Sequence, residues 1–255
     1  MPPPERVDPD RRQEELEREA EEEMRSSLGH PAPADPAPTY RAGGFANRRE
    51  AGALLARVLR DLVPPGRDTI VLAIPRGGVE VGAEVARELD APLDVVIPRK
   101  VGAPRNAELG LGAVAEGVEV LDADLIAALA VPEDYVRREV AAQQEEIRRR
   151  TAAYRAGRPP PDVNGKVAVV VDDGVATGGT ALAALRWARA RGAGRVVLAV
   201  PVAPAETVRR LRPDADDVVV LIAPTHFLAV GQWFGDFPQV SDERVIELLG
   251  AAGSP

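Results

Sequence analysis

Residues 169–180 read VVVDDGVATGGT, and this stretch decides the fold. Its valines predict a strand that is buried on both faces, as strands of parallel sheets are. Two acids, Asp172 and Asp173, follow the valines directly, and a turn of small residues leads from them towards a helix. Because ligands of open parallel sheets bind where strands end at their carboxyl edge, the stretch predicts a ligand-binding corner.

The residue types at this corner suit a phosphorylated sugar. The turn from Ala176 to Thr180 would present backbone N–H groups at a helix N-terminus, which attracts anions. The carboxylates of Asp172 and Asp173 can accept hydrogen bonds from sugar hydroxyls. An ordinary strand–turn–helix corner would explain the glycines but not two adjacent acids after a buried strand. One segment can therefore hold a phosphate and a ribose together.

Two other glycine patterns resemble those of different nucleotide-binding classes, but each lacks a feature that its class requires. Gly174 and Gly179 have the spacing of an NTPase P-loop, but Thr180-Ala181 stands where the pattern requires lysine followed by serine or threonine. The stretch Gly110–Ala115 imitates a dinucleotide fingerprint without lying between a strand and the start of a helix. The sequence therefore argues against a P-loop kinase and against a dinucleotide enzyme.

Short apolar runs alternate with helical stretches along the rest of the chain. The runs cover residues 69–74, 93–97, 167–171, 196–200 and 218–222. The helical stretches cover residues 79–89, 132–154, 179–191 and 205–211, and Asn47 can cap an earlier helix. This alternation predicts an α/β, Rossmann-like, doubly wound fold whose mainly parallel sheet has about five strands.

Composition excludes several classes of function. The chain has no cysteine and two histidines, so thiolate catalysis, disulfides and a histidine metal cluster are excluded. A net charge of −8 argues against a general nucleic-acid binder. No apolar run approaches the roughly 20 residues that span a bilayer, and the N-terminus has no signal-peptide pattern. We expect a cytoplasmic protein that engages neither nucleic acid nor membrane.

The first 38 residues differ from the rest of the chain. They hold five arginines against eleven acids, and residues 29–38 read as a proline-rich linker. This composition has too little apolar content to build a core. We therefore expect a disordered, dispensable tail at residues 1–38 and a single domain at residues 39–255.

Three further stretches carry candidate functional residues. Arg76-Gly77-Gly78 follows the first strand, where glycines admit a ligand and arginine suits diphosphate oxygens; a plain surface turn is the alternative. Residues 98–121 form a long, glycine-bearing and basic excursion that fits neither helix nor strand, which predicts a lid or simply a solvated loop. An aromatic group after the last strand could stack on a base or pack on the sheet.

Residues 172–180 resemble the motif with which type I phosphoribosyltransferases bind 5-phosphoribosyl-1-diphosphate (PRPP): two acids, three variable residues, then Thr-Gly-Gly-Thr. The order of the three further stretches around this motif is also similar, and the resemblance covers roughly residues 40–240. The string from Ala176 to Thr180 looks more like adenine than hypoxanthine/guanine enzymes, which carry an aspartate where Ala176 stands. The whole is similar to a group of bacterial predicted phosphoribosyltransferases whose acceptor the motif does not reveal.

The resemblance implies a role for each candidate residue. The ribose would be bound by Asp172 and Asp173, and the 5-phosphate by Ala176, Thr177, Gly178, Gly179 and Thr180. The diphosphate would be bound by Arg76, Gly77 and Gly78. A flexible catalytic loop would carry Arg99, Lys100 and Arg105, with Glu108 as general acid or base. A small hood would bind the acceptor through Phe227, Trp233 and Phe234.

The resemblance also implies the reaction. A phosphoribosyltransferase of this type transfers 5-phosphoribose from PRPP to a small-molecule nucleophile, here a nitrogenous base, and releases diphosphate. Mg²⁺ would accompany PRPP without direct protein ligands, and the enzyme would act as a homodimer in nucleotide metabolism. The alternative is a PRPP-binding regulatory protein without turnover. The basic excursion favours an enzyme, because sensing does not require stabilisation of a leaving group.

Overall fold

The computed structural model describes residues 44–104 and 106–252, with the backbone alone for Ala107, Glu108 and Ala252. The predicted tail at residues 1–38 therefore lies outside the described residues. The elements are, in chain order, α1 (Arg48–Leu59), β1 (Thr69–Ala73), α2 (Gly77–Leu89), β2 (Leu93–Val95), β3 (Arg99–Ala103), β4 (Asn106–Ala115), β5 (Val118–Leu121), α3 (Ala123–Ala128), α4 (Glu133–Arg155), β6 (Val167–Val171), α5 (Gly179–Ala190), β7 (Arg195–Val202), α6 (Ala205–Leu211), β8 (Asp217–Ile222) and α7 (Asp242–Ala252). Two short 3-10 helices lie at Arg212–Asp214 and Val230–Trp233.

The main sheet confirms the predicted α/β fold. Its five strands are all parallel and run in the order β2-β1-β6-β7-β8, so β6 occupies the centre. Each of the five predicted apolar runs overlaps one of these strands, and β7 and β8 extend beyond the predicted bounds. Asn47 caps α1 as predicted, because its side chain accepts a hydrogen bond from the backbone N–H of Glu50 at 3.0 Å.

The two faces of the sheet are buried against different helices. In β6, Val169 and Val171 face a core that includes residues of α1, α2, α4 and α7. Ala168 and Val170 face a second core built with α5 and α6. The side chains alternate between the faces because successive residues of a strand point in opposite directions. This double burial explains the continuous valines and fixes the end of β6 in the middle of the molecule.

The basic excursion contains a second sheet that sequence analysis missed. Strands β3, β4 and β5 form an antiparallel sheet, so most of the expected loop is a three-stranded ribbon. The glycines that suggested a loop lie inside its strands. At Gly112, for example, φ is +148° and a Cβ would lie 2.2 Å from the carbonyl oxygen of Val120. Here glycine allows a close approach between paired strands, which is a known use of glycine in sheets.

A main-chain clasp joins the segment before α1 to the segment after β8. The N–H of Phe45 donates to the carbonyl of Trp233 at 2.7 Å, and the N–H groups of Gly235 and Asp236 donate back to the carbonyls of Phe45 and Ala46, each at 2.8 Å. Gly44 has a φ of +90°, and a Cβ there would lie 2.1 Å from the carbonyl oxygen of Trp233. The clasp joins two segments that lie far apart in the chain, one before α1 and one between β8 and α7.

Among the described residues, no helix combines the length and the apolar character needed to cross a membrane.

Candidate functional site

The predicted corner lies at the carboxyl end of the central strand. Asp172 and Asp173 follow β6 directly, and α5 begins at Gly179 after Gly178, which has a left-handed φ of 78°. No side chain caps the first turn of α5. The corner thus pairs two carboxylates with a helix N-terminus whose backbone N–H groups can meet an anion.

The loop between the acids and α5 is held from α6. The hydroxyl of Thr207 donates to the carbonyl of Ala176 at 2.7 Å, and the guanidinium of Arg210 donates to the carbonyl of Thr177. A Cβ at Gly178 would lie 2.9 Å from the methyl group of Thr207, so α6 packs closely on the loop. These contacts use carbonyl oxygens of the loop and not its N–H groups. The loop is therefore fixed in a way that suits anion binding.

The two acids form a strongly interacting pair. The N–H of Asp173 donates to Oδ1 of Asp172 at 2.8 Å. Burial, followed by the charge of Asp173, raises the pKa of Asp172 well above its ordinary value. Burial also raises the pKa of Asp173, while the hydrogen bond from Arg48 opposes that rise. A half-buried carboxylate pair of this kind favours partners that donate hydrogen bonds or bring positive charge.

Arg48 is a residue of this site that sequence analysis did not single out. It is 5% exposed, and its Nε donates to Oδ2 of Asp173 at 2.7 Å. The two residues are 125 positions apart, so no local pattern could reveal the contact. One weak signal was available, because a cation in the first turn of a helix opposes the helix dipole and needs another reason to be there.

The predicted diphosphate turn lies directly on the two acids. A Cβ on Gly77 would lie 1.8 Å from Oδ2 of Asp173, and a Cβ on Gly78 would lie 2.9 Å from Cα of Asp172. The peptide bond between Pro75 and Arg76 is cis. Glycine is thus required where this turn crosses the acids. The structure brings the predicted diphosphate turn and the predicted ribose residues into contact.

The side chain of Arg76 points towards α7. Its Nη1 lies 3.8 Å from Oδ1 of Asp242, and the same oxygen accepts a hydrogen bond from the hydroxyl of Tyr154 at 2.6 Å. Burial and the bond to Asp242 raise the pKa of Tyr154 to about 12. The Arg76 side chain is 40% exposed, so this long ion pair leaves it accessible. Asp242 and Tyr154 had not been predicted as neighbours of the site.

The predicted loop residues are only partly described. Nε of Arg99, in β3, donates to Oε1 of Gln143 in α4 at 2.9 Å. Burial, followed by the charge of Arg150, lowers the pKa of Arg99. Lys100 is exposed, whereas Arg105 and the side chain of Glu108 lie outside the described residues. The hydrogen bond of Arg99 joins it to α4 and not to Asp172 or Asp173.

The aromatic segment is a small core in its own right. Phe234 is 8% exposed, and its ring packs on Phe45 and Phe237 at centroid distances of 5.3 and 4.8 Å. Phe227 and Trp233 are half-buried against this core. The ring of Phe237, which was not predicted as a site residue, lies 3.6 Å from the guanidinium carbon of Arg48. Phe234 therefore supports the hood from inside, and Phe237 connects the hood to the acids.

Within the described ranges, no group of three or more His, Asp or Glu side chains could hold a metal ion. The donors that the corner does offer are the adjacent carboxylates of Asp172 and Asp173. Their hard oxygens suit Mg²⁺, which keeps several of its waters and binds through few protein ligands.

Comparisons with known proteins agree with this geometry. The family described as "Phosphoribosyl transferase domain" matches residues 46–232. Two curated proteins of Mycobacterium tuberculosis, named "Putative phosphoribosyl transferase MT0597" (strain CDC 1551 / Oshkosh) and "Putative phosphoribosyl transferase Rv0571c" (strain ATCC 25618 / H37Rv), are each 46% identical over 212 residues. The match covers 82% of this chain but 47% of each relative, so the chain spans about half the length of these proteins.

A solved structure is also similar in sequence and in fold. The crystal structure of TT1426 from Thermus thermophilus is 46% identical, with a TM-score of 0.71. The similarity covers 83% of this chain and 100% of that one. The family match includes β6, the two acids and the loop that leads into α5. The chain therefore belongs to the phosphoribosyl transferase domain family.

Proposed function

We propose that the chain transfers 5-phosphoribose from PRPP to a nucleophile, a nitrogenous base, and releases diphosphate. One observation carries this proposal: the turn of Gly77 lies in contact with Asp173. The loop that leads into α5 follows the same acids in the chain. The sites proposed for a diphosphate, a ribose and a 5-phosphate would thus be contiguous, in the order in which PRPP carries these groups.

Each part of the corner would bind one part of PRPP. The N–H groups from Ala176 to Thr180 would hold the 5-phosphate at the N-terminus of α5. Asp172 and Asp173 would accept hydrogen bonds from the ribose hydroxyls. The backbone of Gly77 and Gly78, with the accessible side chain of Arg76, would meet the diphosphate. The residue types and their contacts support this assignment of each part of PRPP.

Such a site would act mainly by positioning and by electrostatics. As the bond between C1 and the diphosphate oxygen breaks, positive charge develops on the sugar and negative charge leaves with the diphosphate. Holding PRPP at three points would leave the sugar in one orientation towards the acceptor. Mg²⁺ bound with PRPP would neutralise part of the diphosphate charge, and Asp172 and Asp173 would face it through its waters.

The remaining predicted residues keep their proposed roles. Arg99, Lys100 and Arg105 would stabilise the leaving diphosphate when the ribbon of β3 and β4 approaches it, and Glu108 would act as general acid or base. Phe227 and Trp233 would face the acceptor. The resemblance to type I phosphoribosyltransferases also supports a homodimer that acts in nucleotide metabolism in the cytoplasm.

Binding of PRPP with Mg²⁺, measured by calorimetry, tests the site. A double variant, Asp172→Asn with Asp173→Asn, should bind more than tenfold more weakly, because each hydrogen bond to a charged group contributes about 1.5–3 kcal/mol. Asp61→Asn with Asp68→Asn is a matched control, since both of these acids are exposed and lie outside the corner. Unchanged affinity in a folded corner variant would overturn the assignment.

Turnover is tested by screening nucleobases for PRPP-dependent release of diphosphate. Once an acceptor is found, Arg99→Ala and Lys100→Ala should slow single turnovers far more than they weaken PRPP binding. Loss of one contact to the developing charge typically costs on the order of 10²–10³ in rate. Equal losses of rate and affinity would show that these cations act in ground-state binding. Tight PRPP binding without turnover on any base would favour the regulatory alternative.

A further inference from the structure

Arg48 is a buried cation that is held from several sides. Besides its bond to Asp173, its Nη1 donates to the carbonyl of Pro238 at 2.8 Å and lies 3.8 Å from Oε2 of Glu80. The ring of Phe237 covers the guanidinium at 3.6 Å. These contacts come from α2 and from the segment that follows the clasp. The planar guanidinium therefore has little freedom to turn, and its Nε–H keeps one direction.

Stability alone does not explain why such a pair is buried. Removing two charges from water costs about as much free energy as their attraction returns, and apolar replacements of buried ion pairs are often neutral or stabilising. Arg48 and Asp173 nevertheless lie beneath the turn of Gly77, whose Cβ position is 2.9 Å from Nε of Arg48. The space that a side chain at residue 77 would need is filled by this ion pair. The arrangement thus fixes a carboxylate at one place under the turn.

Because acidic groups surround Asp173, the positive charge of Arg48 is important for keeping Asp173 ionised. Asp172 precedes it, Glu80 of α2 lies on the other side of Arg48, and Arg244 of α7 lies 3.9 Å from Glu80. Burial raises the pKa of Asp173, and Arg48 is the cation that opposes this rise. Without Arg48, Asp173 would hold a proton at higher pH and would accept hydrogen bonds from a sugar less well.

We propose that Arg48 is a positioning residue of the ribose site, which directs the carboxylate of Asp173 towards the sugar while Phe237 and Pro238 hold Arg48 in place. The inference rests on the proposed function, because it assigns a purpose to Asp173 only if that residue binds the ribose. It goes beyond the proposed function in joining the ribose site to the aromatic hood through one side chain.

The test compares PRPP binding, with Mg²⁺, in the wild type and in Arg48→Met, Arg48→Lys and Arg49→Met, between about pH 6 and pH 8. Arg49→Met is the matched control, because Arg49 is the next residue of α1 and forms an exposed ion pair with Glu84. Arg48→Met should weaken binding by about ten- to a hundredfold at neutral pH, the loss expected for a hydrogen bond to a charged group. Arg48→Lys keeps the positive charge but lacks the Nε–H. Its PRPP affinity should lie between those of the wild type and Arg48→Met.

A pH profile separates positioning from a merely structural role. In Arg48→Met, affinity should fall more steeply than in the wild type as the pH is lowered, since Asp173 then gains its proton at higher pH. A loss that is equal at every pH, or wild-type affinity in folded Arg48→Met, would overturn the proposal. If Arg48→Met does not fold, Arg48→Lys decides: weaker binding with a displaced pH profile supports the proposal, and wild-type binding overturns it. Failure of the wild type itself to bind PRPP would overturn the proposed function, and this inference with it.

Discussion

Gly77→Ala is the substitution that most directly tests the contact between the predicted diphosphate turn and Asp173. Its Cβ would lie 1.8 Å from Oδ2 and 2.6 Å from Cγ of Asp173. Ordinary contact between non-bonded atoms needs about 3.5 Å, so either the carboxylate or the turn must move by roughly 1.5 Å. The carboxylate can rotate away only by giving up its 2.7 Å hydrogen bond from Arg48.

The cost of this movement follows from what it breaks. A hydrogen bond between charged groups contributes about 1.5–3 kcal/mol, and a buried arginine left without its partner costs about 3–5 kcal/mol when nothing replaces the contact. Replacing glycine by alanine returns about 0.4–1 kcal/mol through the unfolded chain. We therefore expect Gly77→Ala to lower the free energy of unfolding by about 2–4 kcal/mol. PRPP affinity should fall by more than a hundredfold, because both the turn and the acid are displaced.

Urea unfolding measures the stability, and calorimetry with PRPP and Mg²⁺ measures the affinity. Gly250→Ala is the control, since Gly250 lies in α7 and, apart from its chain neighbours and the nearby backbone of its own helix, no described heavy atom lies within 4 Å of its Cβ position. This control should be neutral or stabilising by about 0.5–1 kcal/mol, as expected for glycine in an exposed helix. Wild-type stability and wild-type PRPP affinity in Gly77→Ala would refute the close contact between the turn and Asp173.

Three further predictions follow from the same structure. Because the folded pKa of Asp172 is raised, its contribution to stability is present below the unfolded pKa and is lost as the pH rises through the folded pKa. Asp172→Asn should thus raise the urea midpoint at neutral pH while weakening PRPP binding, with the gain shrinking towards about pH 4; a lower midpoint at neutral pH would contradict this. Tyr154→Phe should cost about 1–3 kcal/mol of unfolding free energy, because the hydroxyl is bonded to Asp242. Tyr135→Phe, which loses a longer bond to a neutral carbonyl, should cost less; equal midpoints for Tyr154→Phe and the wild type would refute the prediction. Removal of residues 1–38 should leave the urea midpoint and PRPP affinity unchanged, and an insoluble or non-binding product would show that this tail packs on the domain.

The sequence predicted those features that are encoded by neighbouring residues. The valines of β6, the acids after it and the glycine turn lie within residues 167–180, so their order alone specified strand, corner and helix. The parallel sheet followed from alternating apolar runs and helical stretches, which are also local patterns. The family match to residues 46–232 agrees with what this segment indicated.

Features that depend on distant pairing were missed for a physical reason. Strands β3 and β4 contain Gly102, Gly110 and Gly112, which locally favour a loop, but their pairing with each other provides the backbone hydrogen bonds. Arg48 is hydrogen-bonded to Asp173 across 125 positions, and Phe237 packs on the same arginine. Phe234 was predicted to bind the acceptor because it is aromatic, whereas its burial against Phe45 could be known only from the fold.

The main-chain clasp between Gly44–Ala46 and Trp233–Asp236 has an evolutionary consequence. All three of its hydrogen bonds join backbone atoms, so they persist when the side chains of the hood are exchanged. Exchange of the aromatic side chains at residues 227–237 should therefore leave the backbone of this segment, and the position of Asp172 and Asp173, unchanged. The requirement on residue type falls on Gly44, because its φ of +90° and the nearby carbonyl of Trp233 leave no space for a side chain. If the aromatic segment binds the acceptor as proposed, relatives that keep this glycine but differ in the aromatic side chains should share one scaffold and differ in acceptor.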